Sequence, residues 1–155
     1  HWTTGRAGGF TTGHPWEPLQ PDSNSTTVAT QDADPGSLLN LFRRLIHLRG
    51  ARPALPSGAL VPLQTTDTSI AAYIRTDAER PVLVVANLSE TPRAGARVSS
   101  AASVVRPGRY STTNLLHGSA GARVALACDG SIPAFVPVAT PARVEPYVLV
   151  LALPR

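Results

Sequence analysis

The residues able to do chemistry are few in this chain and stand apart from one another. The four histidines, His1, His14, His47 and His117, show none of the short spacings that place two imidazoles on one metal ion. Asp32 and Asp34 begin like a calcium loop. Gly36 and Ser37 then occupy the next positions, and Arg43 stands where a bidentate carboxylate is needed, so the pattern fails. Asp77 and Glu79 are two carboxylates within the turn Asp77-Ala78-Glu79-Arg80-Pro81; they give it solubility, and no further feature pairs them with a cleft. Neither a Gly-x-Ser-x-Gly nucleophile turn nor a phosphate-binding Gly-x-x-x-x-Gly-Lys occurs. Gly5, Gly8 and Gly9 are loop glycines. Cys128 follows the alternating run 124–127 and reads as a small buried apolar residue. Asn24-Ser25-Thr26 and Asn87-Leu88-Ser89 match a glycosylation pattern that is common by chance. On these residues we assign no catalytic group, no metal site and no cofactor.

The composition narrows the class. With 155 residues there is room for one compact domain and a short appendage. No methionine is present, so His1 is not expected to be the natural N-terminus; processing, a gene fragment or an expression boundary each account for it. All 14 basic residues are arginine, which points to a GC-rich, bacterial genome more than to a function. The net charge of +4 invites a nucleic-acid reading, but the arginines are scattered and do not alternate with aromatics, so no nucleic-acid partner is expected. A single cysteine excludes an internal disulfide framework, which suits a cytoplasmic protein or a secreted one that needs no bridges. The longest apolar run, 146–154, falls well short of the about 18 residues of a membrane span, so no membrane partner is expected.

The elements come next. Residues 1–33 are rich in glycine, Thr-Thr pairs and proline, and read as a long loop. A helix follows at about 35–49. Asp34 is its expected N-cap, Pro35 its first residue, Gly50 its C-terminal stop, and Pro53 forbids resumption. Leu38, Leu39, Leu41, Phe42, Leu45, Ile46 and Leu48 fill about half the helical wheel. Full burial of each such side chain is worth about 1.5–3 kcal/mol, so this face demands a partner. Beyond Pro56 the texture turns to short β segments. Residues 59–64 and 69–76 read as a hairpin, and 82–88, apolar on both faces, as a central strand. Further strands are expected near 95–105, 111–117, 122–128, 132–138 and 146–153. Turns every ~8–12 residues are the rhythm of a β-sandwich. The fold class is therefore mainly β: an antiparallel sandwich of Greek-key type at 58–155, preceded by a loop and one amphipathic helix at 1–57.

Three segments, in order, resemble glycoside hydrolase family 13, the α-amylase superfamily. Trp2, followed by Gly9-Phe10-Thr11-Thr12-Gly13-His14-Pro15-Trp16-Glu17-Pro18, is similar to the Pro-Met-Gln-Trp-Asp and Gly-Phe-Thr-x-Gly-x-Pro-Trp-x-Pro stretch after the eighth barrel strand of oligosaccharide-active members. Residues 34–55 resemble the last barrel helix. Residues 82–89, Gly108-Arg109-Tyr110 with Asn114-Leu115-Leu116-His117-Gly118, and Glu145-Pro146-Tyr147 resemble the C-terminal sandwich. His1, Thr3 and Arg52 depart from the family's usual glutamine, aspartate and histidine, and the roles of those positions are not carried over. The resemblance implies a retaining α-glycosidase on a (β/α)₈ barrel of the α-glucosidase, oligo-1,6-glucosidase or trehalose synthase type, with its paired carboxylates upstream of His1. The chain alone is then expected to be inactive. Its partners are that barrel, on the same polypeptide or a separate chain, and through it an α-glucan oligosaccharide. The resemblance also puts residues 1–16 at the catalytic mouth, with Trp2, Phe10 and Trp16 as walls for the apolar faces of sugars. The alternative is a stand-alone carbohydrate-binding or protein-interaction sandwich, for which Tyr73, Tyr110, Phe135 and Tyr147 are the available aromatics.

Overall fold

The computed structural model describes residues 1–20, 26–76, 80–141 and 146–152 and falls into two compact units, His1–His47 and Leu48–Arg155. The turn at Asp77 and Glu79, the Asn24 acceptor, Glu145 and the Tyr147 side chain lie outside the described residues.

The first unit is less loop-like than its composition suggests. A single 3₁₀ turn spans Arg6–Gly9, and a short helix, α1, spans Val28–Ala33. Thr27 caps α1, its hydroxyl oxygen accepting the Thr30 N–H at 3.1 Å. The amphipathic helix, α2, spans Leu38–Ala51 and starts later than expected. Asp34 does not cap it. Its carboxylate accepts the Gly36 N–H at 2.8 Å, closing a tight turn through Pro35. Ser37 is the cap instead: its carbonyl accepts the Leu41 N–H at 2.9 Å and its hydroxyl oxygen the Asn40 N–H at 3.3 Å. No residue of α2 is buried, and Leu38, Phe42 and Ile46 are more than half exposed.

Two expectations about the end of α2 are corrected. The helix runs through Gly50 to Ala51, and a one-turn helix, α3 (Ala54–Ser57), resumes directly after Pro53. Proline is tolerated at a helix start because its missing N–H has no partner to lose there.

The second unit is a β-sandwich. Its larger sheet contains β1 (Ala59–Pro62), β3 (Ile70–Thr76), β4 (Val82–Asn87), β6 (Gly108–Asn114), β7 (Ala120–Leu126) and β9 (Pro146–Ala152), in the antiparallel order β1-β3-β4-β9-β6-β7. The smaller sheet contains β2 (Gln64–Thr65), β5 (Val98–Ser100) and β8 (Ile132–Phe135). The hairpin expected at 59–76 forms, with Ala59 opposite Thr76 and Pro62 opposite Tyr73. In β3, Ile70, Ala72 and Ile74 face inward and join Leu83, Val85, Val98, Tyr110, Val124, Leu126 and Ile132 in the core. Val82 and Val84, on the opposite face of β4, are buried too, as the unbroken apolar run demanded. β6 both begins and ends earlier than expected, and it ends at Asn114 because Leu115, Leu116 and His117 belong to the turn that follows. The Asn114 carboxamide oxygen accepts the Leu116 N–H at 2.9 Å, and Gly118, in the left-handed region, donates to the Asn114 carbonyl at 2.7 Å. Cys128 is exposed rather than buried, because β7 ends at Leu126 and Cys128 sits in the following turn.

Candidate functional site

The aromatic loop at residues 1–16 is built on backbone hydrogen bonds. The Gly8 carbonyl accepts both the Trp2 N–H at 2.8 Å and the Thr3 N–H at 3.2 Å, while Phe10 donates to the Ala7 carbonyl at 3.1 Å. This reversal needs three consecutive residues with positive φ, Ala7 (φ 54°), Gly8 (φ 62°) and Gly9 (φ 78°). Glycine adopts that conformation freely, whereas alanine is strained in it. A Cβ on Gly8 would also lie 2.8 Å from the His1 ring. The loop in turn caps α1. The His1 carbonyl accepts the Val28 N–H at 2.9 Å and the Trp2 carbonyl accepts the Ala29 N–H at 3.0 Å, which satisfies the free donors of the first helical turn.

The reversal brings two of the three anticipated residues together. Phe10 packs edge-on against Trp2, with centroids 6.4 Å apart and planes at 60°, and against His1 at 6.3 Å. Both rings keep an open side: Trp2 is 56% and Phe10 65% exposed. Trp16 stands apart. It is 92% exposed and has no ring contact among the described residues. Beside Phe10 an open depression is lined by Arg6, Gly9, Thr11 and Thr12. Thr11 and Thr12 lie within the Gly-Phe-Thr-Thr motif but are assigned no role there, and Arg6 precedes the motif, with no signal in the sequence to single it out. The surface combines an apolar wall, a guanidinium and hydroxyl groups, which suits packing against and hydrogen bonding to a polyhydroxylated ring. Residues 1–16 contain no carboxyl side chain, so neither member of a glycosidase carboxyl pair comes from this loop. Among the described residues no three His, Cys, Asp or Glu side chains gather as metal ligands.

The β unit presents no aromatic platform among its described residues. Tyr110 is buried, its hydroxyl donating to the Arg106 carbonyl at 2.9 Å, while Tyr73 and Phe135 are half-buried. Burial pushes the Tyr110 hydroxyl above the ordinary tyrosine range, and the nearby Arg106 charge partly opposes this.

Nearly the whole chain shares its fold with part of several solved sugar-active enzymes. Bacillus licheniformis trehalose-6-phosphate hydrolase matches with a TM-score of 0.69 and 21% identity, over 97% of this chain and 25% of that one. The isomaltulose synthase of Klebsiella matches at 0.62 and 25% identity, over 96% and 24%. In sequence, the glucan 1,6-alpha-glucosidase of Streptococcus pneumoniae is 35% identical over 88 residues, which is 57% of this chain and 16% of that protein. No family model matches the chain. The chain matches the C-terminal region of glycoside hydrolase family 13 enzymes, and it spans about one sixth of the length of the curated relatives it matches (16%).

Proposed function

We propose that this chain is the C-terminal portion of an enzyme that cleaves or transglycosylates α-glycosidic bonds in starch-derived oligosaccharides. In this reading residues 1–57 complete a (β/α)₈ catalytic barrel and residues 58–155 form the domain that covers and supports it. The nucleophile and acid/base carboxylates come from the upstream barrel, in the same polypeptide or a separate chain. The observation that carries the proposal is the sequence match, 35% identity over 88 residues to a glucan 1,6-alpha-glucosidase, and the shared fold supports it. The exposed apolar face of α2 supports it, because a barrel offers the cover that Leu38, Phe42 and Ile46 need.

The chain's own part in the reaction is to bind and orient. Trp2 and Phe10 offer one apolar wall to a sugar ring and Trp16 a second, while Arg6, Thr11 and Thr12 supply hydrogen bonds to its hydroxyls. No proton is moved by these groups. The 155-residue chain assayed with p-nitrophenyl α-glucoside and isomaltose is expected to turn over neither; hydrolysis that co-purifies with the chain would refute the reading. In an assembled enzyme, Phe10→Ala is expected to raise KM more than it lowers kcat, because a packing surface lost to substrate and transition state alike weakens binding without slowing the chemical step. An unchanged KM would remove Phe10 from the sugar wall.

A further inference from the structure

The larger sheet has an uneven charge pattern. Its six strands carry Arg75, Arg109 and Arg123 and no carboxylate. Arg75 is engaged, its Nε donating to the Ala54 carbonyl at 3.2 Å. Arg109 and Arg123 are exposed, and the ion pairs among the described residues, Arg43–Asp32 and Arg93–Asp67, involve neither. The register of β6 and β7 sets Arg109 opposite Ala125 and Arg123 opposite Ser111. All four therefore share the outward face, alternating with Tyr110 and Val124, which point into the core. The two arginines are diagonal neighbours, about 7–8 Å apart at the backbone and within mutual reach of long side chains. Small residues flank both, and residues 109–111 and 123–125 line a depression of about 550 Å³.

Two guanidinium groups so placed repel each other, and no carboxylate on the sheet relieves them. An oxyanion between them turns that repulsion into charge-assisted hydrogen bonds from both sides. A carboxylate is the poorer match, because its single charge offsets only one of the two guanidinium groups. A phosphate group keeps oxygens free for a second fork. We propose that the outward face of β6 and β7 binds a phosphate group through Arg109 and Arg123, carried either by free phosphate or by a small phosphate ester.

The test is a titration of the full chain with inorganic phosphate and, separately, with glucose 6-phosphate, at constant ionic strength held by chloride. Arginine Nε and backbone NMR signals provide the readout. Saturable shifts confined to β6 and β7 are expected. Arg109→Gln and Arg123→Gln should each weaken binding about tenfold, as the loss of a charge-assisted hydrogen bond implies, and Arg97→Gln should leave it unchanged. Arg109→Lys keeps the charge without the fork and should weaken binding as well. Tighter binding of glucose 6-phosphate identifies an ester as the ligand, and equal binding identifies phosphate itself. Shifts that fail to saturate, shifts spread evenly over all the arginines, or full affinity in Arg109→Lys overturn the proposal.

Discussion

Gly58 lies where two stretches of backbone converge. A Cβ at this position would press on the carbonyl oxygens of Thr76 and Ala54, 2.5 Å from the latter, and neither can swing away as a side chain could. Gly58→Ala is therefore expected to cost about 1–3 kcal/mol, read as a lower denaturation midpoint of the β unit. Tyr110 sets a limit on the alkaline side. The fold prefers its neutral hydroxyl, so the native state holds that proton more tightly than the unfolded chain does. As pH rises past about 10 the unfolded state ionises first, and stability falls. Midpoints measured across that range should drop in the parent chain and drop less steeply in Tyr110→Phe. At this scale the sequence is legible only where a residue acts through its immediate neighbours. It misled at Cys128, because the alternation of 124–127 does not say where the strand stops.

The corner between α1 and α2 is held by the carboxamides of Asn40 and Gln31, with the Ser37 hydroxyl donating to the Gln31 carbonyl at 2.6 Å. The Asn40 Nδ2 group donates to the carbonyls of Gln31 at 2.9 Å, Asp32 at 3.2 Å and Asp34 at 2.8 Å, while the Gln31 side-chain oxygen accepts the Leu39 N–H at 3.1 Å. Asn40→Ala leaves those carbonyls without their shared donor. It is expected to cost about 1–3 kcal/mol, with faster amide exchange in Val28–Ala33 as the measurement. These bonds also explain why the start of α2 was misplaced. Asp34-Pro35 is a sound helix start on local grounds, but Asn40 and Gln31 reach across six to nine residues to fold α1 back, and Ser37 takes the cap. The helix itself was plain from its apolar spacing, as was β4 from its unbroken run. The pairing of Trp2 with Phe10 was not plain, since it depends on a left-handed Ala7 that no propensity favours. Arg109 and Arg123 became neighbours only once the β6–β7 register was known.

For the whole molecule, the exposed apolar face of α2 predicts how the chain behaves in solution. Phe42→Glu combined with Ile46→Glu should reduce binding of a hydrophobic dye and self-association without lowering the melting point, since neither side chain is buried. In the assembled enzyme proposed above the same pair should destabilise, and the contrast between the two measurements tests whether a barrel covers this face. The order of strands has a consequence for synthesis. β9 is the last strand of the sequence, yet it lies between β4 and β6 and joins β1-β3-β4 to β6-β7. Until residues 146–152 have left the ribosome, the larger sheet exists only as two separate pieces with open edges. Pairing of β9 is therefore the step that closes the larger sheet, and a chain cut before Pro146 is expected to leave β4 and β6 with open edges that invite mispairing.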